Sequence, residues 1–244
     1  MAGDVDQGAE AGTDLAVDAA KVLSELRLFS GLSSTHRDEL VRKARRHHFD
    51  AGDVIMAEGT PGTTLAIVLG GEVQVSVLSA DGQEMILALF GAGDVFGEME
   101  LLDEAPRSAT VAALGPAEVL IFQRKDFLQL LYDRPEVSVA LLQLLTSRLR
   151  ATDHLVEDAM FLKVSGRLAK KLLELAQTRG QQTTAGLQID LLLTHQTLAA
   201  LIGTTRESVS KQLGQWRRLG VIETERHKIT IVKPQILEAV IRPL

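Results

Sequence analysis

Between Phe49 and Val119 the chain never runs apolar for long before a glycine stops it, and that punctuation constrains the fold more than any other feature. The runs Ala66-Ile-Val-Leu69, Val73-Gln-Val-Ser-Val77 and Met85-Ile-Leu-Ala-Leu89 are strand-length and rich in β-formers. They are separated by Gly52, Gly59, Gly62, Gly70-Gly71, Asp81-Gly82 and Gly91, residues that allow tight turns. Many short strands joined by glycine turns bury their apolar faces as a barrel or a sandwich.

The flanks have helical periods. From Lys21, apolar positions at Val22, Leu26 and Phe29, then Leu40, Val41 and Ala44, predict short helices. A long helix is predicted from Pro135 to Met160, with Leu141, Leu145, Arg148, Thr152, Leu155 and Ala159 in one stripe. That stripe suits a dimer seam and equally suits packing back onto the strand-rich region, and periodicity alone does not separate the two. Leu168, Leu172 and Leu175 mark a further amphipathic helix ending near Gly180. Residues 1–20, rich in Ala, Gly and Asp without apolar periodicity, are expected to form a mobile acidic tail.

With 244 residues and 45% hydrophobic content, two modest domains can each bury a core. The absence of cysteine excludes disulfides, thiolate nucleophiles, thiol redox sensing and cysteine-ligated clusters. No apolar run reaches the length of about 18 residues that a membrane span needs, and the acidic N-terminus lacks a signal-peptide pattern, so no membrane partner and a cytoplasmic location are expected. The net charge of −6 conceals a division along the chain. Residues 1–160 hold 13 Lys or Arg against 26 Asp or Glu, a net of −13, whereas residues 161–244 hold 13 against 6, a net of +7. A basic module on an acidic body favours phosphate binding, although a solvated basic face has the same composition.

Thr194 to Gly220 reads as two helices joined by a tight turn at Gly203, with Leu198, Leu201 and Ile202 apolar on the first and Val209, Leu213 and Trp216 on the second. Ala199, Gly203 and Val209 lie at offsets of four and ten: a small residue for close approach, a glycine for positive φ, and a valine for the crossing. Burying Val209, Leu213 and Trp216 turns Arg206, Glu207, Ser210 and Lys211 outward. Arginine donates two hydrogen bonds to a guanine edge, glutamate accepts from a cytosine amino group, and Lys211 reaches guanine or phosphate. For Glu207 the alternative is a capping box with Thr204 three residues earlier. Val221-Ile222 and Ile229-Thr-Ile-Val232, flanking a polar turn, predict a β wing.

The run from Gly91 to Thr110, including Gly97-Glu98-Met-Glu-Leu-Leu-Asp-Glu-Ala-Pro106-Arg107-Ser108, resembles a phosphate-binding cassette. Gly97 permits close backbone approach, the following turn can aim amide N–H groups at an anion, Arg107 can neutralise a phosphate through paired bonds, and Glu98 can accept from a ribose hydroxyl. A surface ion pair between Glu98 and Arg107 is the competing reading.

From about Lys21 to its C-terminus the chain resembles the cyclic AMP receptor protein family of bacterial transcription regulators, also called catabolite activator proteins. The resemblance implies an α+β fold: a jelly-roll type cyclic-nucleotide-binding β-barrel over residues 21–134, a dimerisation helix over 135–161 and a winged helix-turn-helix over 162–244. It implies cyclic AMP as allosteric effector, with no catalytic cofactor and no metal. The ligand residues are then Glu98 on the ribose, Arg107 and Ser108 on the cyclic phosphate with Gly97 and Met99 beside them, and Val75, Leu87 and Ala88 on the base side. On the long helix, Thr152 matches a threonine contacting adenine across the dimer, with Asp153 beside it and Arg148 one turn earlier. The residues expected at DNA are Thr194, Gln196, Thr205, Arg206, Glu207, Ser210 and Lys211. The implied partners are a second copy of the chain, double-stranded DNA carrying an inverted repeat of TGTGA type, RNA polymerase and the cyclic nucleotide. The junction from Phe161 to Ser165 is the expected hinge.

Two positions depart from the best-known member: Asp153 stands where it has a serine, and Lys211 where it has an arginine. An ionised Asp153 accepts from adenine's amine and repels guanine's carbonyl oxygen, so adenine is the expected base. Lys211 is a flexible point charge, so the base it faces is expected to be loosely specified. Other chemistries fit poorly. Gly91, Gly93 and Gly97 miss the dinucleotide fingerprint spacing by one. His47 and His48 are adjacent on a strand and face opposite ways, while His36, His154, His195 and His227 share no ligand spacing. No local group of nucleophile, base and orienter appears, so an enzyme is not expected. The alternative within binding proteins is a regulator of this fold that senses another effector, or none.

Overall fold

The computed structural model describes residues 12–189, 191, 193–225 and 228–241. Its elements, in order, begin with α1 (Gly12–Glu25), a short 3-10 turn (Arg27–Phe29) and α2 (Ser34–Lys43). Strands β1 (Arg45–Phe49), β2 (Val54–Met56), β3 (Thr64–Gly70), β4 (Val73–Leu78), β5 (Glu84–Phe90) and β6 (Val95–Phe96) follow, then α3 (Met99–Asp103), β7 (Thr110–Ala113) and β8 (Ala117–Gln123). Next come α4 (Arg124–Asp133), α5 (Pro135–Phe161), α6 (Val164–Arg179), β9 (Gly180–Gln182) and β10 (Leu187–Ile189). The chain closes with α7 (His195–Ile202), α8 (Arg206–Arg218), β11 (Ile222–Glu225), β12 (Lys228–Ile231) and α9 (Pro234–Ile241). Helix α1 takes up residues 12–20 of the expected acidic tail, and residues 1–11 lie outside the described residues.

Two compact units emerge, one formed by the chain up to Val75 with Leu89–Arg148, the other by Ser76–Ala88 with Leu149 onward. The division therefore falls inside α5 rather than at its ends, and the tip of the β4–β5 hairpin groups with the C-terminal half.

In the first unit, sheet order is β1-β8-β3-β6 in one sheet and β2-β7-β4-β5 in the other. The apolar runs of β3 and β8 are nearly continuous because both of their faces are covered. Alternate residues Leu65, Ile67, Leu120 and Phe122 join one core with Leu23, Phe29, Phe127, Val137 and Leu141 from the helices. The intervening Ala66, Val68, Ala117 and Val119 join a second core with Met56, Val73, Phe96 and Val111, which come from both sheets. The expected strand-rich domain is thus a two-sheet structure with helices packed on one outer face.

Helix α5 shows which reading of its stripe applies where. Val137 and Leu141 are buried in their own unit's core, so the first turns pack back onto the sheet domain. The exposed apolar row is instead Leu142, Leu149, Val156 and Met160, a set offset by one position from the stripe expected on Leu141 and Leu145. After Phe161 an extended break at Leu162-Lys163 separates α5 from α6, at the junction expected between Phe161 and Ser165.

In the second unit, α6 buries Leu168, Leu172 and Leu175, as its period predicts, and packs against α7 and α9. A sheet of order β11-β12-β10-β9 lies beside it in sequence, the β11–β12 pair forming the predicted wing. His227 lies outside the described residues.

Candidate functional site

The cassette is built where β6 ends. Gly97 has φ +76, and a Cβ there would meet Arg107 Nη1 at 2.6 Å and Met56 Sδ at 2.8 Å, so both its backbone and its surroundings require glycine. The Arg107 backbone is held opposite the Gly59–Thr60 loop: its N–H donates to the Thr60 carbonyl at 2.8 Å, and its carbonyl accepts from the Gly59 N–H at 2.8 Å.

From that position the Arg107 side chain, 5% exposed, turns inward. Its Nη1 donates to the Gly97 carbonyl at 3.0 Å and to Glu100 Oε2 at 2.9 Å, and Nη2 donates to the Thr64 carbonyl at 2.5 Å and Thr64 Oγ1 at 3.1 Å. Ser108 donates its backbone N–H at 2.9 Å and its hydroxyl at 2.8 Å to Glu100 Oε1. A guanidinium, a hydroxyl and an amide thus converge on one carboxylate, itself 4% exposed. Burial pushes the Glu100 carboxyl pKa up, but the Ser108 N–H and hydroxyl, its own backbone N–H and Arg107 outweigh that and hold it below the usual glutamate range.

Glu98, 1% exposed, faces a different cation. Its Oε1 accepts from Arg148 Nη1, and Arg148 Nη2 donates to the Val95 carbonyl. The Arg148 guanidinium also lies over the Phe90 ring, 4.7 Å from its centroid. The competing reading of a surface Glu98–Arg107 ion pair is therefore corrected: each is buried and paired with another residue.

Of the remaining expected ligand residues, Met99 is 47% exposed at the start of α3, and Val75 is half-buried against the inter-sheet core. Leu87 is exposed and Ala88 half-buried on β5. Ser108 is exposed overall despite its two bonds, and Thr152 and Asp153 are exposed on α5. Glu100, which meets Arg107 and Ser108, is not among the residues expected from the sequence. The available signal was an acid two residues after Glu98 and seven before Arg107.

In the second unit, Gly203 ends α7 in the left-handed conformation at φ +61, as its spacing predicts. Val209, Leu213 and Trp216 of α8 are buried, leaving Arg206, Glu207, Ser210 and Lys211 exposed together. The helix caps are Thr194, which accepts from the Thr197 N–H at 3.0 Å, and Thr205, which accepts from the Ser208 N–H at 3.3 Å. Gln196 is exposed in the first turn of α7. The alternative of a capping box between Thr204 and Glu207 does not form, because the cap is one residue later and Ser208 takes the third helical position. Arg167, not expected at this site, ties α6 to the motif: Nε donates to the Ile202 carbonyl and Nη1 to the Leu162 carbonyl, each at 3.0 Å.

Comparison with known proteins agrees with both halves. The cyclic nucleotide-binding domain family matches residues 46–134, and the Crp-like helix-turn-helix domain family matches residues 166–240. The CRP-like cAMP-activated global transcriptional regulator of Mycobacterium tuberculosis is 33% identical over 86% of this chain and 94% of its own length. The chain belongs to the cyclic AMP receptor protein family. The Cyclic AMP receptor protein of Thermus thermophilus is 34% identical over 87% of this chain and 95% of its own. A solved structure of the c-di-GMP responsive global regulator CLP of Xanthomonas campestris shares the fold at TM-score 0.74, with 23% identity over 82% of this chain and 99% of that one. Members of the family are transcription regulators with a cyclic nucleotide-binding domain and a helix-turn-helix, and this chain has both parts. No helix among the described residues is long and apolar enough to cross a membrane.

Proposed function

We propose that this chain is a cyclic AMP-responsive, sequence-specific transcription regulator that acts as a homodimer on inverted-repeat sites of TGTGA type in the cytoplasm. The observation supporting an effector site is the convergence of Arg107 Nη1, Ser108 Oγ and Ser108 N–H on a single anionic group within 2.8–2.9 Å. That donor set fits a cyclic phosphate. Glu98, nine residues before Arg107 in the same run, supplies the acceptor that a ribose hydroxyl needs.

On this reading, the Thr152 and Asp153 positions on α5 of the second copy meet the adenine of the effector across the dimer. The exposed row of Leu142, Leu149, Val156 and Met160 lies against the same row of a second copy, since its near-seven-residue repeat is that of a two-helix seam. An effector that contacts both cassette and α5 favours one arrangement of that seam, and only such differential affinity shifts the balance between two states. The Leu162-Lys163 break and the Arg167 anchor transmit the arrangement to α7 and α8. Two recognition helices about 34 Å apart then read half-sites one DNA turn apart. Arg206, Glu207 and Lys211 face base edges, while Thr194, Gln196, Thr205 and Ser210 take phosphates or neighbouring bases. Bound protein contacts RNA polymerase to raise or lower transcription.

The test is affinity for an inverted-repeat TGTGA duplex at fixed salt, with and without cyclic AMP, for the natural chain and Arg107→Ala. Tightening by cyclic AMP that the variant loses is expected. Equal affinity in all four conditions leaves a DNA-binding regulator and removes cyclic AMP as its switch, which is the second reading: an effector of another kind, or none. That reading is favoured by one observation, the presence of the Glu100 carboxylate on the donors that a phosphate needs.

A further inference from the structure

We propose that Glu100 is a built-in counter-ion that occupies the phosphate position of the cassette, so that a cyclic nucleotide binds only by displacing it and binds far more tightly when it is removed. The inference rests on the reading of Arg107 and Ser108 as phosphate ligands.

Three features of the cassette support it. First, the carboxylate takes three donors of the cassette: Oε2 accepts from Arg107 Nη1 at 2.9 Å, and Oε1 from both the Ser108 amide and hydroxyl at 2.9 and 2.8 Å, while Arg107 Nη2 goes to Thr64. A phosphate oxygen pair needs the same three donors, and two anions cannot share them at hydrogen-bond distance without strong repulsion. Second, the pairing is buried rather than superficial, with the Arg107 and Glu100 side chains 4% and 6% exposed. No bulk water screens the competition. Third, the opposing loop makes room for this side chain: a Cβ at Gly62 would lie 2.2 Å from Glu100 Cβ, with no left-handed backbone there to account for the glycine otherwise.

The charge balance has the same consequence. Arg107 with Glu100 and Arg148 with Glu98 form two neutral pairs, so the cassette has no net positive charge to attract a phosphodiester. Expelling Glu100 exchanges one set of charge-assisted bonds for another and leaves a carboxylate to be resolvated beside the bound anion. Removing the side chain leaves Arg107 with its Gly97 and Thr64 acceptors but with its charge uncompensated. The difference corresponds to about one strong charge-assisted bond, or roughly 10- to 100-fold in affinity.

The experiment is calorimetric titration of the full chain with cyclic AMP at fixed pH and salt, for the natural sequence, Glu100→Ala, Glu100→Gln and Glu100→Ala with Arg107→Ala. Circular dichroism spectra confirm that each is folded, and Glu100→Gln, nearly isosteric, stands in if the alanine variant is not. Support is a gain of about 10- to 100-fold for Glu100→Ala, a smaller gain for Glu100→Gln, and loss of the gain with Arg107→Ala. If the natural chain shows no binding and Glu100→Ala binds, the inference holds while cyclic AMP is removed as the natural switch. If the natural chain binds and the folded Glu100 variants bind equally or more weakly, the inference is overturned and the proposed function stands. If none of the four binds, both are overturned.

Discussion

Removing the Arg107 guanidinium should expose how much of the first unit's stability depends on one buried pair. In Arg107→Met the Glu100 carboxylate keeps its two Ser108 donors but loses its counter-charge, and the Gly97 and Thr64 carbonyls each lose a donor. Breaking one side of a buried ion pair costs about 3–5 kcal/mol, and the retained Ser108 bonds place this case near about 3 kcal/mol. Glu100→Gln, by contrast, leaves Arg107 with its carbonyl acceptors and should cost about 1–2 kcal/mol. In the double variant the Gln amide still accepts from Ser108 and no buried charge remains. The two losses should then fall short of additivity by about 1–2 kcal/mol, well beyond the scatter of about 0.3–0.5 kcal/mol for independent sites. Urea unfolding followed by far-ultraviolet circular dichroism measures the cycle, with fluorescence of Trp216, the only tryptophan, reporting on the second unit separately. Additive losses, or an Arg107→Met cost below about 1 kcal/mol, would refute the description of Arg107 and Glu100 as a coupled buried pair.

Gly97→Ala should destabilise the same unit by at least about 1–2 kcal/mol from its positive φ alone, before the 2.6 Å contact with Arg107 Nη1 is counted. Thermal melting checks this, and an unchanged midpoint would contradict the close approach. Glu100 and Glu118 both titrate below the usual glutamate value of 4.5, Glu118 chiefly through its hydrogen bond from Arg46. Their contribution to stability is therefore complete above that value and lost as pH falls through the lower native values, so urea midpoints should drop below about pH 4.5 and drop less in Glu118→Gln. Arg206→Ala should weaken binding to an inverted-repeat duplex by about 1–3 kcal/mol and relax preference at one base pair per half-site, whereas uniform weakening across sequences would mark Arg206 as a phosphate contact.

What was legible in the chain was what short-range spacing encodes. Gly203 sits four residues after Ala199 and six before Val209, and the backbone around it follows from local sterics wherever the motif occurs. The near-continuous apolar runs of β3 and β8 likewise record two covered faces. That the cap is Thr205 and not Thr204 is not legible in the sequence, because adjacent threonines have equal cap propensity and the helix start is chosen by how Val209 and Trp216 must face the core.

The pairings that decide the site were of another kind. Glu98 meets Arg148 across 50 positions, and Arg107 reaches Thr64 across 43, so neither appears in any local pattern. Glu100 does not stand out in the sequence because a carboxylate near an arginine is ordinary on a surface, and only the burial of both makes this pair distinctive. Along α5 the period of apolar residues is compatible with several neighbouring stripes, and only the packing of Val137 and Leu141 into their own core left Leu142, Leu149, Val156 and Met160 outside. The element types and the helix-turn-helix follow from the sequence, because propensity, periodicity and turn geometry act over a few residues. Which charges pair, which helix face stays open and which carboxylate lies on Arg107 and Ser108 came from the tertiary structure, because those depend on distant segments meeting where water is excluded.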